Sequence, residues 1–209
     1  MMLLDKFSCR QADKIIVVGR DMIETLEKRF DRLPPYVYIN NWINEKEIYP
    51  LPPGNEQVLQ FKKQYGLEGK FIIMYSGNIG LYYDLLNIVK VIEKFQELPQ
   101  IAFTFIGEGS VLEELRGYKE MHGLSNVVLI PYQDKSKLIY SLNAGDVHFV
   151  VNAKGIKGVS VPSKLYGVMA VGKPVLGILE EGSEARLIVE EAGCGMNVAP
   201  GDYEAIEHL

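Results

Sequence analysis

The segment Gly155-Ile156-Lys157-Gly158-Val159-Ser160-Val161-Pro162-Ser163-Lys164-Leu165-Tyr166-Gly167 carries glycines, serines and a lysine at spacings that suit an anionic ligand of the phosphate type. Gly155 and Gly158 let the backbone take positive φ and approach an anion closely. Ser160 or Ser163 can cap a helix whose first free N–H groups point out from its end. The aligned peptide dipoles of that helix favour negative charge at its start, and Lys164 adds a full positive charge there. An ordinary loop-to-helix junction with a serine cap has the same local features, so the neighbouring elements decide between the two readings.

Those elements alternate. Phe71–Tyr75 predicts a strand ending in the turn 76–80, after which Leu85, Leu86, Ile88, Val89, Ile92 and Phe95 recur at helical spacing. Ile101–Ile106 predicts a second strand, closed by Gly107-Glu108-Gly109 and followed by a helix from Val111. Val127–Ile130 and Asp146–Val151 predict a third and a fourth, with a helix over 135–143 between them. A strand over Pro174–Leu179, a helix over Ser183–Ala192 ending at Gly193, and a short strand over Gly195–Ala199 complete the series. Continuous apolar strands alternating with helices predict an α/β fold, a Rossmann-like doubly wound parallel sheet covered on both faces. Such sheets bind ligands beyond the carboxyl ends of their strands, where the strand order switches. The glycine-rich turns at 77–80, 107–109 and 155–158 all follow strand ends.

The first fifty residues fall outside this rhythm. Ile15–Gly19, a helix over Asp21–Phe30 and Tyr36–Ile39 predict an isolated αβαβ-like fragment, too small for a domain of its own. Pro50-Leu51-Pro52-Pro53-Gly54 has the stiffness of a linker. A last helix is expected from about Asp202, and both chain ends read as cut. The expected organisation is a remnant of one domain plus linker over residues 1–50, and a binding domain truncated at its C-terminus over 51–209.

Bulk properties remove several classes. Of 209 residues 47% are hydrophobic, which supports a sizeable core. A net charge of −5 with no basic stripe argues against nucleic acid as a partner. Cys9 and Cys194 are far apart and without companions, which excludes a disulfide scaffold or zinc site and fits a reducing cytosol. No apolar run approaches the roughly 18 residues of a membrane span. A cytoplasmic location is expected, with peripheral attachment of the full-length protein to the inner face of a membrane left open.

Several segments, in order, carry a family resemblance. Cys9–Val18, Ile39-Asn40-Asn41-Trp42-Ile43, the turn 74–80, Phe105–Gly109, Ala144–Val147 and, most specifically, Met169-Ala170-Val171-Gly172-Lys173-Pro174-Val175 resemble family 4 (group 1) glycosyltransferases of the GT-B fold. The likeness is to the C-terminal, donor-binding half of that fold, and residues 161–167 are similar to a subgroup acting on bacterial surface polysaccharides. The chain departs from the pattern twice. Many members carry two glutamates eight apart; the second, which binds the nucleotide ribose, falls at Gly167 and the first near Val159. Many also place an Arg and a Lys after the first strand, where this chain has Asn78-Ile79-Gly80-Leu81.

The resemblance implies retaining transfer of a sugar from a nucleotide diphosphate sugar, a UDP-sugar by the subgroup, to a glycan or lipid-linked acceptor. The acceptor site would lie mostly outside these residues. Without the usual basic pair, the diphosphate would rest on Asn78, Gly80, Ser163 and Lys164, using amides at 78–80 and the helix start. Lys164 is the one catalytic candidate, its charge aimed at the leaving phosphate. Tyr132 and Gln133 would face the nucleobase, and Gly155, Gly158 and Ser160 the donor sugar. No cofactor is implied, and the absence of an Asp-x-Asp sequence points to a metal-independent site. Duller alternatives stand beside each residue: a solvated Lys164, a helix-entry turn at Gly80, a surface tyrosine at Tyr132. Lys154, Lys157 and Glu108 read as solvated, His148 as a core histidine, and Trp42 as packing at the linker junction. Two other functions fit the same fold: a nucleotide-sugar epimerase, disfavoured by scarce histidine, and a non-catalytic nucleotide-sugar-binding module, favoured by the missing glutamates.

Overall fold

The computed structural model describes residues 2–30, 32 and 34–208, with side chains from residue 6 onward. Its elements are α1 (Met2–Gln11), β1 (Ile15–Val17), α2 (Arg20–Arg29), β2 (Tyr36–Tyr38), α3 (Glu56–Gln64), β3 (Phe71–Ser76), α4 (Leu85–Ile92) and β4 (Ile101–Ile106). Then follow α5 (Leu112–Met121), β5 (Val127–Ile130), α6 (Leu138–Ala144), β6 (Val147–Val151), α7 (Lys164–Ala170), β7 (Val175–Ile178), α8 (Glu184–Ala192), β8 (Gly195–Val198) and α9 (Tyr203–Glu207). The six strands from β3 onward form one parallel sheet in the order β5-β4-β3-β6-β7-β8. The chain runs outward from β3 to β5, then returns to the other side of β3 and runs outward again. The switch in strand order therefore lies between β3 and β6, and the turns that leave those two strands meet there.

Alternation along the strands builds the two covered faces. Tyr75, Phe103, Phe105, Phe149 and Val151 pack with Ile88, Val89 and Ile92 of α4 and Leu115 of α5. On the opposite face Ile72, Met74, Ala102 and Ile106 meet Phe61 of α3 and Leu67. Val150 and Val175 meet Leu165 and Val168 of α7 and Ala185 and Val189 of α8.

Helix α3 lies just beyond the predicted linker and has no apolar run to announce it. Asn55 caps it by accepting from the amides of Gln57 and Val58, and its last turn carries Lys62 and Lys63. The helix expected over 135–143 divides into a 3-10 turn, Lys135–Lys137, and α6. The linker itself is pinned: Asn143 of α6 accepts from the amide of Leu51 and donates to the carbonyl of Tyr49.

The N-terminal fragment forms a two-stranded parallel sheet, β1 beside β2, over Val17, Leu26 and Phe30. Polar groups join it to α8. Glu184, fully buried, accepts from the amide of Arg20 at 2.5 Å, its Nε at 3.0 Å and the hydroxyl of Tyr38 at 2.7 Å. The guanidinium reaches on to Glu191 at 2.6 Å. Burial alone would push the Glu184 carboxyl up, but the Arg20 and Tyr38 hydrogen bonds outweigh it and hold the group below its ordinary value. Asp21 accepts through Oδ2 from the amides of Gly158 and Glu184, tying the 155–163 loop to α2 and α8.

Candidate functional site

At the switch in strand order the turn after β3, the ends of β4 and β5 and the loop after β6 enclose a cavity of about 480 Å³. Ser76, Gly77 and Asn78 form one wall and residues 160–164 another, with Tyr132, Gln133 and Lys135 along the side of β5. Trp42 and Ile43 stand at the mouth. No carboxylate lines the cavity among the described residues, and its basic side chains there are Lys135 and Lys164.

Six of the nine predicted site residues meet in this cavity: Asn78, Tyr132, Gln133, Ser160, Ser163 and Lys164. Gly80, Gly155 and Gly158 are not among its lining. Gly80 has extended backbone, φ −121° and ψ 176°, and is buried beneath the Asn78 side chain. Gly155 and Gly158 do take positive φ, 88° and 71°, but their amides are engaged. Gly155 donates to Glu180, as does Lys157, and Gly158 donates to Asp21. A Cβ on Gly158 would collide with Thr25 and approach the Asp21 carbonyl oxygen to 2.9 Å. The demand for glycine there comes from α2 packed against the loop.

The serine cap is also corrected. Ser163 occupies the N-cap position of α7 in a helical conformation, φ −60° and ψ −22°, so its hydroxyl does not reach back to the helix amides. The amides of Leu165 and Tyr166 bond the carbonyls of Pro162 and Ser163. Those of Ser163 and Lys164 have no acceptor among the described residues and lie at the cavity wall. On the facing wall, Ile79 turns its amide inward to the carbonyl of Glu108, so the expected row of amides at 78–80 is interrupted. Gly107, at φ +145°, admits this close approach of the two turns; a Cβ on it would overlap the Gly77 carbonyl oxygen.

Lys164 departs furthest from expectation. The residue is half-buried, and its amino group is buried, has no hydrogen-bond partner among the described residues, and stands 3.6 Å from the ring centroid of Tyr75 and 4.3 Å from that of Tyr83. Desolvation holds its pKa well below the ordinary lysine value. Tyr75 donates its hydroxyl to the carbonyl of Asn78 at 2.6 Å, which fixes both the ring and the turn. Trp42, expected to pack at the junction, is 79% exposed at the cavity mouth. His148 is the core histidine expected: its Nε2 lies 3.0 Å from the carbonyl of Leu142, which makes Nε2 the protonated nitrogen, and burial lowers its pKa to about 4. Tyr83 escaped sequence reasoning because Leu81-Tyr82-Tyr83 has the pattern of a helix entry, and only the fold brings its ring to α7.

Residues 58–209 match the family model described as "Glycosyl transferases group 1". Over 99% of its length the chain is 31% identical to half of the probable glycosyltransferase WbjE of Pseudomonas aeruginosa. WcaI of Escherichia coli K12, provisionally named a colanic acid biosynthesis glycosyl transferase, is 26% identical over 97% of the chain and 49% of its own length. The chain thus spans about half the length of the curated relatives it matches. Among solved structures, Anabaena Alr3699/HepE in complex with UDP and glucose superposes with a TM-score of 0.82 at 16% identity, covering 99% of this chain and 55% of that one. No helix of the described residues is long and apolar enough to cross a membrane.

Proposed function

Because the chain belongs to the group 1 glycosyl transferase family, we propose that its cavity binds the nucleoside diphosphate part of a sugar donor, UDP-linked, for a retaining transfer. The observation that carries this reading is the cavity at the strand-order switch, which among the described residues is lined by no carboxylate and walled by Ser163 and Lys164, whose amides have no acceptor there. A pyrophosphate needs such donors, and an acid in contact with its phosphates would repel it. In this reading the amides of Ser163 and Lys164 and the Lys164 amino group meet the diphosphate. As the bond to the sugar breaks, negative charge collects on the leaving phosphate, and fixed donors aimed at it lower the barrier. Asn78 orients the diphosphate from the opposite wall, Ser160 lies toward the sugar, and Tyr132 and Gln133 flank the base.

Gly167 lines the cavity where the ribose-binding glutamate of the family would stand. Trp42, exposed at the mouth, is placed to contact whatever enters. In this reading the donor binds without metal; no carboxylate among the described residues lines the cavity. The acceptor, a glycan or lipid-linked sugar, would be held mainly by the half of the enzyme not represented here, in the cytoplasm or peripherally at the inner membrane face. UDP, GDP and UDP-N-acetylhexosamines titrated calorimetrically against the chain, with and without magnesium, test this. Saturable, metal-independent binding of a uridine nucleotide supports it; no binding by any of them refutes it, and the non-catalytic module gains if UDP binds yet the full-length enzyme transfers nothing.

A further inference from the structure

Lys164 is an unusual group to find in the wall of an anion site. An ammonium ion with three N–H donors and no acceptor is costly to bury. Here Nζ is buried without a hydrogen bond among the described residues, and the faces of Tyr75 and Tyr83 lie 3.6 and 4.3 Å from it. Gly77 lines the cavity beside it. A Cβ at that position would come within 3.1 Å of the lysine Cε and 3.2 Å of Nζ, so the lack of a side chain there leaves room for the amino group. Tyr75 is anchored through its hydroxyl to the Asn78 carbonyl. Tyr83 is set by the next residue, Asp84, which takes left-handed backbone at φ 49° and is held there by hydrogen bonds from Asn87 and Tyr203. Two independently braced rings thus converge on one amino group.

We propose that Tyr75 and Tyr83 are positioning residues that store the Lys164 amino group in the cavity wall, and that a bound diphosphate draws it out past Gly77 as an ammonium ion. This inference rests on the nucleoside diphosphate reading of the cavity. Desolvation lowers the pKa of the stored group, which has no hydrogen-bond acceptor among the described residues, and no carboxylate among them lines the cavity beside it; in this proposal the stored form is the neutral amine. On binding, the amine takes one proton from solvent, and no other bond is made or broken. The titratable groups that face it are the phenols of Tyr75 from β3 and Tyr83 from the turn before α4. Burial holds Tyr75 well above its ordinary value, so that it stays neutral. Lys135 and Tyr132 line the same cavity, Lys135 being paired with Glu47 at 3.1 Å.

The test is calorimetric titration of the whole chain with UDP at pH 7, 8 and 9, in pairs of buffers of unlike ionisation enthalpy. A terminal phosphate, with pKa near 6, stays ionised throughout. The wild-type chain is expected to take up as much as one proton per UDP, and its affinity to fall by up to about tenfold per pH unit across the window of uptake. Lys164→Met abolishes the uptake. Tyr83→Phe keeps the ring and the uptake, whereas Tyr83→Leu opens the store to water, so the amine is charged at rest and uptake drops while UDP still binds. Binding without uptake in the wild type, or uptake unchanged in Lys164→Met or Tyr83→Leu, overturns the caged lysine and leaves the donor site standing. Absence of UDP binding overturns both.

Discussion

Replacing Glu184 by alanine tests how the N-terminal fragment is joined to the sheet domain. The carboxylate is fully buried and serves three donors: the amide and Nε of Arg20 and the hydroxyl of Tyr38. A buried donor left without a partner costs about 1–3 kcal/mol. The Arg20 side chain is 40% exposed and retains Glu191, so its share is discounted for solvent, and the Tyr38 hydroxyl keeps Asn40 as an acceptor, which leaves the Arg20 amide as the main loss. The expected destabilisation of Glu184→Ala is about 2 kcal/mol, and that of Glu184→Gln, which keeps one acceptor, about half as much. The pH dependence follows from the sign of the shift. Because the folded carboxyl lies below its ordinary value, its contribution is present above the ordinary glutamate range and lost as pH falls through the folded value. The acid limb of stability should therefore flatten in the variants. Urea unfolding followed by circular dichroism is the suitable assay, since Trp42 is the single tryptophan and is 79% exposed. A loss below about 1 kcal/mol, or an unchanged acid limb, would refute the reasoning.

His148 is buried and neutral with a pKa lowered to about 4, so its contribution is full above the ordinary histidine value and declines as pH falls toward 4. Linkage predicts a loss of about 2 kcal/mol between pH 7 and 5 from this group, and His148→Gln should remove that part of the slope in urea titrations. Gly107→Ala forces a side chain into positive φ and against the Gly77 carbonyl; a cost of about 3 kcal/mol or more is expected, with UDP binding lost as the turn after β3 moves. Gly167 lies inside α7, and a Cβ there meets only Leu142 Cδ1 at 3.4 Å. Gly167→Ala should raise stability by about 0.5–1 kcal/mol in thermal unfolding. Gly167→Glu, placing a carboxylate at the ribose position of the family, should tighten UDP binding measured by calorimetry.

The sheet was readable because strands buried on both faces are continuous apolar runs: β3 to β7 match Phe71–Tyr75, Ile101–Ile106, Val127–Ile130, Asp146–Val151 and Pro174–Leu179 to within a residue at each end. Helix α3 was not, since among Glu56–Gln64 only Phe61 is buried and the surrounding glutamines and lysines carry little periodic signal. In the site, connectivity alone brings the turns after β3 and β6 together. Direction is what spacing cannot supply. Lys164 sits at the start of α7 as expected, yet its head group points inward to Tyr75 and Tyr83, which lie about 80 to 90 residues earlier in the chain. Gly155 and Gly158 show a similar limit, because positive φ is required equally by a ligand and by a neighbouring helix, and here Gly158 answers to α2.

The most direct test of the account is titration of the isotopically labelled chain with UDP, followed residue by residue through backbone amide resonances. Saturable shifts confined to residues 76–78, 132–133 and 160–167, and strongest at Ser163 and Lys164, are predicted. No shifts at millimolar UDP, or saturable shifts that cluster away from the switch between β3 and β6, would contradict it.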